Sequence, residues 1–329
     1  MKKVLLINTR PAQCSIYQSG KMIYDSIKDS ESLKIDYCEI QELDILNLHR
    51  GIVVINNKFK ADYDYYIFNY HPYTMRSIER VNSALLKNLP GKKYCIILEM
   101  MQNNPIPVLK LGPMISDDFD GYIVIDPTMK YPDERFHWFP RPLDISNANK
   151  NEKFNDIPII GSFGYPTYDK GFHLIIDAAS KEFEQSIVRI NMPNATYGKL
   201  EMHNQIVEEC RIRSINVKNV TVEITNKFMT DDELLDWCSE NTLNCFFYYR
   251  NSTGGESTGL AAATDQCIIS GRPLALSDDV TFRHIHQYIT PYPQRSLKES
   301  ISISANEVKQ IQQDWNFKKC QKRIQEILK

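Results

Sequence analysis

Residues Ser252 to Asp278 read STGGESTGLAAATDQCIISGRPLALSD. One acid, Glu256, stands among Gly255, Ser257, Thr258 and Gly259, just before a small-residue helix. A carboxylate accepts hydrogen bonds from hydroxyls, and backbone N–H groups at a helix start hold anions. That combination suits a polar ligand carrying a phosphate or a sugar. A second stretch, Gly161 to Gly171, reads GSFGYPTYDKG. Its glycines, Gly164 among them, let the backbone come close to a ligand, and Lys170 offers a point charge for phosphate. Arg250 follows the apolar run NCFFYY. It is either a bidentate phosphate contact or a salt bridge that closes a strand end.

Two further residues stand where apolar runs end in the first half. His71 follows YYIFNY, and Glu99 ends YCIILE. His71 can work as an acid, base or hydrogen-bonding group, or simply turn the chain before Pro72. Glu99 either faces a ligand or caps the next loop. The first loop, Asn8 to Gly20, is polar, with Arg10, Gln13 and Ser15. It lacks G-x-G-x-x-G, so the ordinary dinucleotide fingerprint is absent. Arg283, His284 and His286 form a dense cationic run. Histidines at i and i+2 do not share a helix face, which argues against a metal there.

These residues must be held by the elements around them. Short apolar runs alternate with amphipathic stretches along the whole chain. Strands are expected at Val4–Asn8, Leu33–Glu39, Tyr63–Asn69, Tyr94–Glu99 and Gly121–Ile125 in the first half. In the second half they are expected at Ile157–Phe163, Ser186–Met192, Val220–Ile224, Asn244–Tyr249 and Pro273–Ser277. Helices are expected between them, including Gln18–Asp29, Tyr168–Ser180, Lys199–Ile215, Thr230–Glu240 and Gly259–Ser270, with a long final helix over Ala305–Lys329. Thr230-Asp-Asp-Glu233 is a capping box. Continuous apolar strands alternating with helices imply parallel sheets covered on both faces. The polar, Asn-rich stretch from Pro140 to Asp156 divides the chain into two similar doubly wound halves. In such halves ligands bind at the carboxyl ends of strands.

The totals narrow the classes. The chain has 329 residues with a formal net charge of −2, 42% hydrophobic and 24% charged. Its mean hydropathy is −0.40. The near-neutral charge argues against nucleic acid as a partner. No run approaches the roughly 20 apolar residues that span a bilayer, so membrane contact is expected to be peripheral at most. The polar turn after Val4–Asn8 is read as the end of a strand, not of a signal peptide. The eight cysteines form no C-x-x-C pair and are expected as reduced core thiols of a cytoplasmic protein.

Taken in order, these segments resemble the GT-B glycosyltransferases, in particular the retaining, nucleotide-sugar-dependent group (family 4-like) that includes bacterial capsule and lipid-glycan enzymes of polysaccharide biosynthesis. GSFGYPTYDKGFHLIIDAA is similar to that group's G-R-x…K-G-x-x-x-L-I-x-A segment. MTDDELLDWCSENTLNCFFYY and GGESTGLAAATDQCIISGRPLALSD match its later segments in the same order. The resemblance covers nearly the whole chain. It implies an α/β fold of two doubly wound, Rossmann-like domains facing a cleft, with a C-terminal helix crossing back to the N-terminal domain. The domains would be an acceptor domain at 1–145, a linker at 146–156, a nucleotide-sugar domain at 157–304 and the terminal helix at 305–329.

The resemblance also implies roles. Lys170 matches the group's phosphate-binding lysine, and Glu256 its first glutamate, which holds sugar hydroxyls. The group's arginine falls at Ser162 or Phe163, so that contact is missing unless Arg250 or another basic residue supplies it. The second glutamate, implied to hold the ribose, has no clean match: counting on from Glu256 lands on Thr264, counting back from Gly271-Arg272-Pro273 lands on Gln266, and Asp265 lies between them. His71 and Glu99 correspond to cleft residues by order only. The implied reaction is transfer of a glycosyl group from a UDP-sugar or GDP-sugar to a sugar, glycan, lipid-linked glycan or small-molecule acceptor, with retention and no tightly bound cofactor or metal. Two other readings stand beside it. One is a degenerate relative that binds nucleotide or glycan without turnover. The other is a phage-type DNA base glycosyltransferase, against which the charge argues.

Overall fold

The computed structural model describes residues 1–9, 15–40, 63–70, 89–98, 108–109, 112–113, 119–128, 134–146, 156–193, 200–249 and 260–329. These fall into two compact units. The first takes the described residues of Met1–Asp144 and Trp315–Lys329 together with Leu260, and the second those of Ile145–Gly255 and Ala261–Asp314.

The first unit is built on a six-stranded parallel sheet. Its strands are β1 (Lys2–Thr9), β2 (Leu33–Ile40), β3 (Tyr65–Tyr70), β4 (Lys92–Ile97), β7 (Gly121–Val124) and β8 (Phe136–Trp138). The order across the sheet is β2-β1-β3-β4-β7-β8. A separate two-stranded antiparallel pair joins β5 (Val108–Leu109) to β6 (Gly112–Pro113). Side chains alternate across a strand. Val4 and Leu6 therefore join one apolar cluster, with Ile23 and Ile27 of α1 (Ser15–Ile27) and Cys320, Ile324 and Ile327 of the last helix. The opposite face carries rings, including Phe68 at 6.0 Å from Phe119 and Tyr122 stacked at 4.7 Å on Phe136.

The second unit holds a five-stranded parallel sheet. Its strands are β9 (Ile159–Phe163), β10 (Ser186–Asn191), β11 (Val220–Thr225), β12 (Leu243–Phe246) and β13 (Leu274–Leu276), in the order β11-β10-β9-β12-β13. Ile160, Val188 and Ile190 pack on α2 (Phe172–Glu182) and α3 (Leu200–Asn216) through Phe172, Ile175, Ile206 and Cys210. On the other face Phe163 meets Trp237 of α4 (Asp231–Glu240), and α4 packs on α5 (Thr264–Ser270). The capping box at α4 forms as expected: Glu233 N–H donates to Thr230 Oγ1 at 3.3 Å, and Thr230 N–H to Glu233 Oε2 at 2.9 Å.

Several elements differ from the sequence expectation, among them the short pair β5–β6, which no expected strand covers. The single final helix is two, α7 (Leu297–Trp315) and α8 (Phe317–Ile327), which follow the four-residue α6 (Arg283–His286). Asn316 leaves the helical region (φ −68°, ψ 162°), and its side chain accepts from Lys319 N–H at 3.0 Å. An asparagine that caps a new helix ends the old one. Helix α5 begins at Thr264, later than the expected start at Gly259. The edge strand β8 has no counterpart among the expected strands. Seven of the eight cysteines are described, and all seven are buried with free thiols.

Candidate functional site

In the second sheet, chain order runs one way from β9 (to β10 and β11) and the other way from β12 (to β13). Open parallel sheets bind ligands beyond the carboxyl ends of strands at such a reversal. The segments that leave these two ends are Gly164–Gly171 and Phe247–Tyr249.

The first segment is a tight turn laid on the second. Thr167 is extended, Tyr168–Lys170 form one 3-10 turn, and Gly171 ends it at φ +61°. A Cβ on Gly171 would lie 2.0 Å from Phe247 O, so only glycine fits there. Tyr249 N–H donates to Asp169 O at 3.0 Å and ties the same two segments together. Lys170 Nζ then donates to Tyr248 Oη at 2.5 Å, with the centre of that ring 3.8 Å away. Gly164 (φ +143°) borders the same point. A Cβ there would lie 3.7 Å from Lys170 Cε, 3.8 Å from Nζ and 3.9 Å from Tyr248 Oη. Tyr248 is itself fixed. It is buried, its ring packs 4.8 Å from Phe282, and its carbonyl accepts from Ser277 Oγ at 2.6 Å.

The structure thus brings Gly164 and Lys170 together. Gln266 is the only residue of α5 that is not buried. Of its neighbours, Thr264 turns its hydroxyl back to Ala261 O at 2.9 Å, and Asp265 is buried. Ser162 and Phe163 hold the aligned arginine position. Ser162 is buried, and Phe163 lies between Trp237 (6.0 Å) and Phe246 (5.3 Å). His71, Glu99, Arg250, Gly255, Glu256, Ser257, Thr258 and Gly259 lie outside the described residues. The cationic run does not act as one patch. His284 is fully buried, Arg283 Nη1 donates to Val280 O at 2.7 Å, and His286 Nε2 sits 3.1 Å from Ser277 O.

Two features escape the sequence reading. One is Tyr248, which the apolar run NCFFYY assigns to the strand core. The other is in the first unit, where the order reverses between β1 and β3. Asn69 Nδ2 donates to Asn8 Oδ1 at 2.7 Å, both fully buried, and Asn8 Nδ2 donates to Tyr37 Oη at 3.0 Å. The hydroxyls of Tyr17 and Tyr37 both donate to Glu39 Oε1, at 2.7 and 3.0 Å. Burial, with Glu39 beside them, pushes both phenols above the usual tyrosine pKa, so they remain donors. A polar residue at the end of an apolar run (Asn8, Glu39, Asn69) is the signal that could have found this network.

Other features are less suited to a phosphate. An open groove of 620 Å³ on α3 is lined by Glu201, Glu208 and Glu209 against a single cation, Arg213, so its net charge opposes an anion. Among the described residues no three His, Cys, Asp or Glu side chains cluster as metal ligands. No helix among them is long and apolar enough to cross a membrane.

No protein-family model matches the chain, and no curated protein matches its sequence significantly. Solved structures do match in fold. Anabaena Alr3699/HepE in complex with UDP-glucose superposes with a TM-score of 0.65 at 11% identity, covering 100% of this chain and 99% of that one. Trehalose-6-phosphate synthase, OtsA, gives 0.61 at 10%, covering 100% and 99%. A glycosyltransferase from Rickettsia africae gives 0.60 at 9%, covering 99% and 97%. At such identities the likeness concerns the fold, and that fold is GT-B, with two Rossmann-like units in one chain.

Proposed function

We propose that this chain is a glycosyltransferase that takes a sugar from a nucleoside-diphosphate sugar. The observation that carries the reading is Lys170, held beside Gly164 at the strand-order reversal of the second sheet. A lysine ammonium at that position suits the diphosphate of a bound donor. As the bond between the anomeric carbon and the phosphate oxygen breaks, negative charge grows on the departing diphosphate. Lys170 and the backbone at the start of α2 neutralise that charge in place, without reorganisation. The acceptor hydroxyl forms the new C–O bond and passes its proton to the departing diphosphate oxygen.

The remaining roles follow from the sequence. Glu256 accepts hydrogen bonds from the donor sugar's hydroxyls, with Gly255, Ser257, Thr258 and Gly259 shaping its loop. Arg250 supplies the phosphate contact that Ser162 and Phe163 cannot. Gln266, the partly exposed position of α5, takes the ribose contact as a neutral amide. His71 and Glu99 act at the acceptor. A UDP-sugar is the first donor to test, because HepE was solved with UDP-glucose, and a GDP-sugar the second. The acceptor is a sugar or glycan, free or lipid-linked, and the configuration is retained. The domain limits proposed are 1–145 and 157–304, joined by 146–156. The place of action is the cytoplasm.

The test is release of nucleoside diphosphate from a panel of UDP-, GDP-, ADP- and CMP-sugars with mixed glycan acceptors. Lys170→Ala and Glu256→Ala should each lower transfer at least about a hundredfold while the protein stays folded. Full transfer by both variants would overturn the site assignment. A second reading, a binder without turnover, is favoured by the core positions of Ser162 and Phe163. Tight donor binding with no product under any acceptor would select it.

A further inference from the structure

We infer that Tyr248 is a positioning residue for the diphosphate-binding lysine, and so sets affinity for the phosphate part of the donor. This rests on the donor reading above. A lysine side chain has a flexible four-carbon stem and a point charge, so left alone it samples many directions. Here the phenol restrains the ammonium, which donates to Tyr248 Oη at 2.5 Å with the ring centre 3.8 Å away. A charge-assisted hydrogen bond to a fixed acceptor favours that one side-chain direction.

The phenol cannot easily follow the lysine if it moves. Tyr248 is 2% exposed, with its ring against Phe282 and Phe246 and its carbonyl held by Ser277. The ammonium and the phenol oxygen meet at the face of Gly164 that lacks a Cβ. The lysine thus meets an incoming diphosphate already ordered, which removes part of the entropy cost of binding.

The full-length chain is titrated by calorimetry with UDP, GDP, ADP, inorganic pyrophosphate and uridine. Tyr248→Phe keeps the ring and removes the hydroxyl. It should weaken the preferred diphosphate and pyrophosphate about tenfold and leave uridine binding unchanged. Lys170→Ala should weaken the same two ligands more. The double variant should bind no worse than Lys170→Ala alone, because the phenol acts through the lysine. If Tyr248→Phe lowers the melting temperature, the double variant still decides. A merely structural phenol would cost further affinity in the Lys170→Ala background. Loss of diphosphate binding in Lys170→Ala with none in Tyr248→Phe would overturn this inference alone. A wild-type chain that binds none of the diphosphates would overturn the donor reading and this inference with it.

Discussion

Gly171→Ala tests whether the lysine turn depends on its seat against Phe247. Two costs add at this position. The backbone stands at φ +61°, where an L-residue with a Cβ costs about 1–2 kcal/mol. The new Cβ would also lie 2.0 Å from Phe247 O, and that gap must open by about 1 Å to reach tolerable contact. Overpacking of this kind costs about 1–3 kcal/mol, so the total comes to about 3 kcal/mol. Gly271→Ala is the matched control. Gly271 has nearly the same backbone (φ +71°), but the nearest atom a Cβ would meet, Gln312 Nε2, is 3.6 Å away. It bears the backbone cost alone, about 1 kcal/mol. Urea unfolding and thermal melting of both variants measure the difference. Gly171→Ala should melt several degrees below Gly271→Ala, at about 2–4 °C per kcal/mol. Relieving the overlap also shifts Lys170, which adjoins Gly171, and about 1 Å of misplacement is enough to cost up to a hundredfold in function. On the donor reading proposed above, affinity for the preferred nucleoside diphosphate, UDP first, should therefore fall in Gly171→Ala and hold in Gly271→Ala. If both variants melt together and bind UDP alike, the turn does not depend on this contact.

Ile324→Ala, in the buried stripe of α8, should destabilise the first unit by about 2–5 kcal/mol, read as loss of its denaturation step. Thr230→Ala removes the capping hydroxyl of α4 and should cost about 1 kcal/mol in urea unfolding. Burial lowers the pKa of both His137 and His173, with Arg323 adding to the effect at His137. A histidine whose folded pKa lies below its unfolded one binds fewer protons folded than unfolded. Stability should therefore fall as pH drops from about 6.5 through the lowered folded values, and His137→Asn should flatten part of that slope in melts from about pH 7.5 to about pH 5.

The strands were legible because parallel sheets are covered on both faces. Runs such as YYIFN and CII stay apolar without a gap, and the structure has them in β3 and β4. Boundaries were less legible where a single polar residue decides them. Val308, Ile311 and Trp315, then Cys320, Ile324 and Ile327, keep a helical rhythm through Asn316, so the break there depends on a cap and not on periodicity. Strand β8 is three residues long, with His137 and Trp138 only half buried, too little for any pattern to show. Lys170 and Gly164 could be picked out from glycines and charge in one short stretch. Tyr248 could not, because it lies 78 residues from Lys170. Strand β12 ends at Phe246, which frees the chain just beyond it to turn the Tyr248 phenol toward the lysine.

The place of α8 in the first unit has a consequence for synthesis. Cys320, Ile324, Ile327 and Leu328 belong to the same buried cluster as Val4 and Leu6. Lys2 Nζ donates to Leu328 O at 2.9 Å, and Arg323 Nε to Trp138 O at 2.8 Å. A ribosome makes the chain from one end, and domains generally fold as they emerge. Here the second unit has all its strands before the first has its last helix. The N-terminal sheet, though made first, must wait with part of one face open until Leu328 has been added. The half that is translated first is thus the half that closes last, and a nascent chain stalled near Asp314 would expose the apolar face of β1 and β3 to whatever binds unfinished proteins.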